Sequence, residues 1–363
     1  MSSARTAPRL LFVPVSGAYG MGEYARSLAI ARGARDRWPQ AAIRFLLSRQ
    51  APYAADAPFE TTLLPDSPTR CTPGVLAAIA AFAPHVVIFD NAGRSAQLRA
   101  ARAAGAAVVF ISARRRQRRR AGRLSWLRLI DEHWMAYPRR LGAPSGPFEG
   151  WKRRCLRRPP PRHLDVMLPR ADGERRAALL AELALPAAPV LVVPGGGTGH
   201  PGAMDAVRRF HSAAVELATA GVPTVFVGPF DAADAAEPGA LRRRRSLPQA
   251  DLAELMRAAS VVVANGGSTM VQAIACAAPC IAVPIARDQR ARIRRAAAAG
   301  VVVRAPLAAA AIARGARLLL ADAAARTALA SRAADFALAD GIQVAVDALA
   351  GLCTRRADAA PRS

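Results

Sequence analysis

Short, wholly apolar runs alternate along this chain with longer stretches whose apolar positions recur at helical spacing. The runs "RLLFVPVSG" (9–17), "AIRFLLS" (42–48), "HVVIFD" (85–90) and "AAVVFIS" (106–112) predict buried strands. Between them, "EYARSLAIARGARDRW" (23–38), "GVLAAIAAFAP" (74–84) and "SAQLRAARAAG" (95–105) predict helices, the second stopped by Pro84 and the third by Gly105. Residues 152–170, with three consecutive prolines, break the pattern and read as a connector. It restarts with strands at "APVLVVPGGGTGH" (188–200), "PTVFVGPF" (223–230), "VVVANGG" (261–267), "PCIAVPI" (279–285) and "VVVRA" (301–305). The intervening helices fall at 202–220, 251–260 and 268–277. Strand–helix alternation implies parallel βαβ units. The chain therefore predicts an α/β protein of two Rossmann-like domains, 1–165 and 166–363, facing one another across a cleft.

Three strand ends carry candidate chemistry. "PGGGTGH" places Gly195, Gly196, Gly197, Thr198, Gly199 and His200 between a strand and a helix. Glycines there admit a ligand to the backbone, and the helix start offers free N–H groups and positive dipole, which suits phosphate. The segment lacks the P-loop lysine and the strict dinucleotide spacing. "NGGST" repeats the logic at Asn265, Gly266, Gly267, Ser268 and Thr269, with Ser268 expected to cap the next helix. Two such loops in one parallel sheet lie at the carboxyl ends of its strands and argue for a diphosphate. In the first half, "SGAYGMGE" (16–23) sets Glu23 at a helix start, where the dipole favours a carboxylate. Asp90 ends a strand and is a second candidate for the same proton-transfer chemistry.

Charge changes the picture further. The net charge is +25, carried almost entirely by arginine, and residues 1–165 hold a net of +18. Much of that excess sits in "RRRQRRRAGR" (114–123), with Arg114, Arg115, Arg116, Arg118, Arg119 and Arg120, and in "KRRCLRR" (152–158). Such density attracts anions. No interleaved aromatics or reading motif accompany it, which argues against nucleic acid. Trp126, Leu127, Leu129 and Ile130 follow at helical spacing, so the run reads either as a solvated charged face or as a contact for an anionic membrane surface or acceptor. The five cysteines are scattered, and Cys276 and Cys280 have no second pair, so free thiols are expected and no metal site. The N-terminal apolar run is too short for a signal peptide, and no window reaches the roughly 18 apolar residues that span a bilayer. The expected location is cytoplasmic, peripheral on the inner face of the cytoplasmic membrane.

The stretches "VLVVPGGGTGH" (190–200), "SLPQADLAELMRAASVVVANGGSTMVQAIACAAPCIAVPIARDQ" (246–289) and "AAAAGV" (296–301) resemble the donor-binding domain of GT-B glycosyltransferases. The branch in view holds UDP-dependent glycosyltransferases and the bacterial transferase that adds GlcNAc to the peptidoglycan lipid precursor. "GMGEYARSLAIA" (20–31) is similar to the first-domain helix start of the same superfamily, and to that of the UDP-sugar hydrolase of pseudaminic acid synthesis. The chain departs from both patterns. Glu23 stands where the relatives have His, and Gln272 where they use Glu to accept from the ribose hydroxyls.

The resemblance implies an acceptor domain in the first half and a nucleotide-sugar donor domain in the second. Gly196, Gly197, Thr198, Gly267, Ser268 and Thr269 would hold a diphosphate, Leu247 would line the base, Gln272 would meet ribose, and Asp288 and Gln289 would meet the sugar. It implies an inverting, metal-independent transfer from a UDP-linked donor to a cell-envelope acceptor, such as a lipid-linked or lipopolysaccharide intermediate. The nucleotide sugar is substrate and no cofactor is implied. The alternatives are a nucleotide-sugar hydrolase using Glu23 to activate water, and a non-catalytic sugar-nucleotide binding protein.

Overall fold

The computed structural model describes residues 7–18, 21–142, 147–186, 188–195, 203–230 and 239–359. The chain forms two compact units. The first comprises Met1–Arg139, Ala143–Met167 and Asp340–Ser363; the second comprises Arg140–Gly142 and Leu168–Ala339.

In the first unit the elements run β1 (Arg9–Pro14), α1 (Gly22–Arg37), β2 (Ala42–Ser48), β3 (Glu60–Leu64), α2 (Thr72–Phe82), β4 (Val86–Asp90), α3 (Ser95–Ala103) and β5 (Ala107–Ser112). They continue with α4 (Arg115–Ala121), α5 (Leu124–Leu127), β6 (Glu132–Met135), α6 (Pro147–Cys155) and β7 (Arg162–His163). Among the described residues the strands form one parallel sheet in the order β3-β2-β1-β4-β5-β6-β7. The order reverses between β1 and β4, the switch point beside which open α/β sheets bind ligands.

Successive strand residues feed opposite faces of the sheet. Leu10, Phe12, Ile43, Phe45, Val86 and Ile88 join one core, and Leu11, Val13, Leu46, Val87, Phe89 and Phe110 the other. Helices cover both faces, which is why these strands read as unbroken apolar runs.

The second unit runs α7 (Gly173–Glu182), β8 (Val190–Val193), α8 (Ala203–Thr219), β9 (Thr224–Val227), β10 (Leu241–Arg244), α9 (Gln249–Ala258), β11 (Val261–Asn265), α10 (Ser268–Ala275) and β12 (Cys280–Val283). It ends with α11 (Arg287–Ala298), β13 (Val303–Arg304), α12 (Ala309–Ala321) and α13 (Ala323–Asp335). Its parallel sheet is ordered β10-β9-β8-β11-β12-β13, the same winding again, with the switch point between β8 and β11.

The chain order does not match the unit order at the end. The last helix, α14 (Gly341–Ala359), belongs to the first unit, although the sequence division at 166 assigns it to the second. Its Ala345, Ala348, Leu349 and Leu352 enter the core beneath α1, β1 and β2. The approach is close because Gly33 faces it: a Cβ there would lie 2.5 Å from Ile342 Cγ2. The stretch read as a connector also carries structure, since α6 and β7 lie within it and β7 adds to the sheet edge.

Candidate functional site

At the switch point of the second unit, two loops are tied together by one side chain. Asn265, the last residue of β11, is 5% exposed. Its Nδ2 donates to the Pro194 carbonyl that follows β8, and its Oδ1 accepts from the Gly267 amide at 2.6 Å. Gly195 follows at φ +82°, and a Cβ there would overlap Asn265 Nδ2 and approach Thr269 Oγ1 to 3.1 Å. Glycine is required at that position by both the backbone region and the space. Gly266 and Gly267 are required by packing: a Cβ at Gly266 would meet Ile293 at 2.6 Å, and one at Gly267 would meet Asn265 Oδ1 at 2.6 Å.

The expected cap on α10 is not made. Its N-cap is Gly267, with no side-chain hydrogen bond; Ser268 is the first helical residue and is exposed. A short hydroxyl side chain at the first helical position cannot fold back onto its own helix start as an N-cap side chain does. The amides and the positive dipole of the first turn are therefore left without a capping side chain, beside the Gly195 turn. Thr269 is buried, and Gln272 sits one turn beyond Ser268 on the same helix, half-buried. Leu247 is half-buried in the loop before α9. Gly196, Gly197, Thr198, Gly199 and His200 lie outside the described residues.

Asp288 and Gln289 behave differently from one another at the start of α11. Asp288 is 68% exposed, with one long contact of 3.4 Å to Arg292. Gln289 is buried, and its Oε1 accepts from the Ile285 amide at 2.9 Å, so only its Nε2 end stays available toward Gly267. Arg292, a residue the sequence reading passed over, donates to the Gly266 carbonyl at 2.5 Å and holds the loop from behind.

In the first unit the switch point gathers a polar cluster. Glu23, half-buried in the first turn of α1, accepts from Asn91 Nδ2 at 2.8 Å. Asn91 sits in the left-handed region (φ +51°), and its Oδ1 accepts from the Ala113 amide at 2.9 Å. Asp90 does not join Glu23 as an accessible carboxylate. It is wholly buried, and Arg26 grips it at 2.6 and 2.8 Å while Ser27 Oγ stands at 3.3 Å. Burial pushes the Asp90 carboxyl up to about 6 against the pull of Arg26. Asp90 thus anchors α1 to β4, and Glu23 is left as the accessible acid of the pair. Tyr53 stacks on Tyr24 with ring centroids 4.3 Å apart, and burial followed by the nearby Glu23 charge pushes its hydroxyl up to about 12.

The arginine run forms α4, and Arg114, Arg115, Arg116 and Arg119 are exposed, while Arg118 and Arg120 are half-buried. Arg120 stacks over Trp126 at 5.4 Å. The apolar residues expected beside the run as a surface face are core instead: Trp126, Leu127 and Ile130 are 5%, 1% and 3% exposed. For Trp126 and Ile130 the helical spacing reports packing in the core with β5, where Trp126 meets Phe110 edge-on at 5.2 Å. The exposed apolar pair lies on α6. Phe148 and Trp151 are 63% and 57% exposed and stacked at 5.5 Å, with Lys152 4.2 Å over the Phe148 ring. Among the described residues no helix is long and apolar enough to cross a membrane, and no three His, Cys, Asp or Glu side chains gather as metal ligands.

Two parallel sheets with the same winding, each flanked by helices, give an α/β fold of the GT-B kind. No protein-family model matches the sequence, and no curated protein matches it. The likeness is in structure. The glycosyltransferase SnogD from Streptomyces nogalater superposes with a TM-score of 0.67 at 18% identity, over 96% of this chain and 100% of that one. The glycosyltransferase VinC, solved in complex with dTDP, gives 0.64 at 16% identity over 97% and 100%. Acinetobacter baumannii MurG gives 0.61 at 16% identity over 95% and 99%.

Proposed function

We propose that the chain is a glycosyltransferase whose second unit binds a nucleotide-sugar donor at the Gly195 turn and the α10 start. The carrying observation is the Asn265 tie, which holds a positive-φ glycine turn against an uncapped helix N-terminus. That arrangement offers amides and dipole to a diphosphate and costs no rearrangement when charge develops on it. Gln272 would face the ribose, Asp288 the sugar, and Leu247 the base. VinC, of the same fold, was solved with dTDP; here the departing diphosphate would belong to a UDP-linked donor.

In the proposed step an acceptor hydroxyl attacks the anomeric carbon as the bond to the diphosphate oxygen breaks, inverting the centre. The acceptor proton passes to Glu23 Oε, and the diphosphate leaves with the bonding pair onto the α10 amides. The proposed acceptor is an anionic or lipid-linked cell-envelope intermediate. Support comes from the arginine-rich α4 and the exposed Phe148–Trp151 pair, a combination suited to peripheral contact with an anionic membrane face.

Calorimetric titration with UDP-, dTDP- and GDP-sugars tests the donor reading: saturable binding of at least one supports it, and none overturns it. A second reading, hydrolysis, is favoured by the placement of Glu23, which is accessible and held by Asn91. Stoichiometric release of free sugar without added acceptor would select it.

A further inference from the structure

The first unit carries a second charged feature, at the edge of its sheet opposite to Glu23. A groove of about 760 Å³ opens at the amino-terminal ends of β5, β6 and β7 and is floored by Leu352 of α14. Five arginines line it: Arg102, Arg157, Arg158, Arg162 and Arg355. Two carboxylates stand among them, and both are saturated. Asp131 Oδ1 accepts from Arg102 at 2.8 Å and Arg158 at 3.2 Å, while its Oδ2 accepts from the Val108 amide at 2.8 Å. Glu132, 6% exposed, accepts from Trp134 Nε1 at 2.7 Å and from Arg162 at 3.0 and 3.2 Å, with Arg355 at 3.7 Å.

These acids act as struts. Each fixes guanidinium groups in place while its own charge is spent inward, and the arginines keep unused N–H donors. Arg157 is exposed in the left-handed region (φ +51°) and makes no side-chain hydrogen bond or ion pair among the described residues. Arg355 is 65% exposed, and its ion pair among the described residues is the 3.7 Å contact to Glu132. Five guanidiniums against two carboxylates leave a surplus of positive charge in a concave site with a low-dielectric floor, which focuses potential toward an anion. The guanidiniums of Arg102, Arg158 and Arg162, held by the two carboxylates, present planar forks that match phosphate oxygens in bidentate fashion.

We propose that this groove binds a small ligand carrying two or more phosphate groups, at a site separate from the donor loops. Its position between β5–β7 and α14 means that such a ligand would clamp the C-terminal helix to the sheet.

Inorganic pyrophosphate is the probe, titrated calorimetrically into the full chain with and without saturating UDP. The groove predicts an isotherm that persists in UDP, weakens as salt rises, and exceeds that of inorganic monophosphate at matched ionic strength. The double variant Arg157→Ser, Arg355→Ser changes two exposed side chains and should melt as the parent does without ligand. It should weaken pyrophosphate binding by about 30-fold. Amide hydrogen exchange should show protection at 105–107 and at 157, 158 and 162, the residues there that carry an N–H. Equal affinity in the double variant overturns the proposal. So does loss of binding in Arg115→Ser, Arg116→Ser with the groove intact, or protection confined to the second unit. Failure of UDP to bind would sink the donor reading and leave this test in force.

Discussion

Asn265 reaches across from the end of β11 to the Pro194 carbonyl at the end of β8, and with its other side-chain atom holds the Gly267 amide. One amide side chain thus supplies both a donor and an acceptor to two loops that are distant in sequence. Asn265→Ala removes both bonds and leaves the Gly267 N–H and the Pro194 carbonyl buried without this partner. The expected cost is about 1–3 kcal/mol, read as a lower urea midpoint. Donor affinity should fall with it. Asn265→Asp keeps the acceptor but sets an oxygen against the Pro194 carbonyl, so it should recover none of the loss.

Arg26 and Asp90 predict a different outcome from a catalytic pair. Asp90→Ala leaves the Arg26 guanidinium, with 14% side-chain exposure, without either acceptor oxygen, and should destabilise the first unit by about 3–5 kcal/mol. If Asp90 instead took the acceptor proton, the variant would melt near the parent and lose only turnover. Thermal denaturation beside an activity or donor-binding assay separates the two. The double variant Arg26→Met, Asp90→Leu should regain much of the stability, because it removes the need to bury charge at all.

Much of the fold was legible because its strands are buried on both faces. Runs such as Leu10–Val13 and Val261–Ala264 have no polar face, and only a covered parallel strand or a core helix can use them; their shortness decides for the strand. Strands without that signature do not stand out in the sequence. Glu60–Leu64 is an edge strand with two exposed and two half-buried positions, and Leu241–Arg244 is mostly arginine. The division at 166 puts residues 341–359 with the second domain because chain order says nothing of where a chain returns; Gly33 against Ile342 places α14 on the first unit, and that is a non-local fact. At the site, glycine and hydroxyl residues marked the loops, but their reasons differ. Gly266 is small for Ile293, and Ser268 is a first-turn residue and not a cap. Trp126 and Ile130 show the same limit, since helical spacing of apolar residues does not say whether core or lipid covers them.

His133 makes stability depend on pH. It is 1% exposed, Arg153 donates to its Nδ1 at 2.8 Å, and Ser112 Oγ lies 2.8 Å from Nε2. A guanidinium can only donate, so Nε2 carries the proton and Nδ1 has no room for a second. Burial, then the Arg153 charge, holds the imidazole down to about 3. The unfolded chain takes up that proton near 6.5, so between about 6.5 and 3 the unfolded state binds more protons. Stability from this residue is present above 6.5 and lost as pH falls, on the order of 3–5 kcal/mol across the window. Asp90 works in the opposite sense, since its folded value of about 6 exceeds the unfolded one and acid favours the fold there. Urea melts at pH 7 and pH 4 should therefore differ less in His133→Gln than in the parent, and an unchanged difference would remove His133 as the cause.

The proposed donor site makes a direct prediction at Gln272. Its side chain stands half-buried on α10, one turn past the uncapped helix start, where a ribose would follow a diphosphate bound at the first turn. An amide there can accept through one oxygen and donate through its NH₂; a carboxylate can accept from two ribose hydroxyls at once, each with charge assistance. Gln272→Glu should therefore tighten nucleotide-sugar binding by about 5- to 30-fold, equivalent to roughly 1–2 kcal/mol, provided the ribose lies where the α10 start directs it. The paired control is a donor lacking one ribose hydroxyl, which should lose the gain in the variant and little in the parent. If calorimetry finds the variant no tighter than the parent, Gln272 does not face the ribose and the nucleotide lies across this helix in another register.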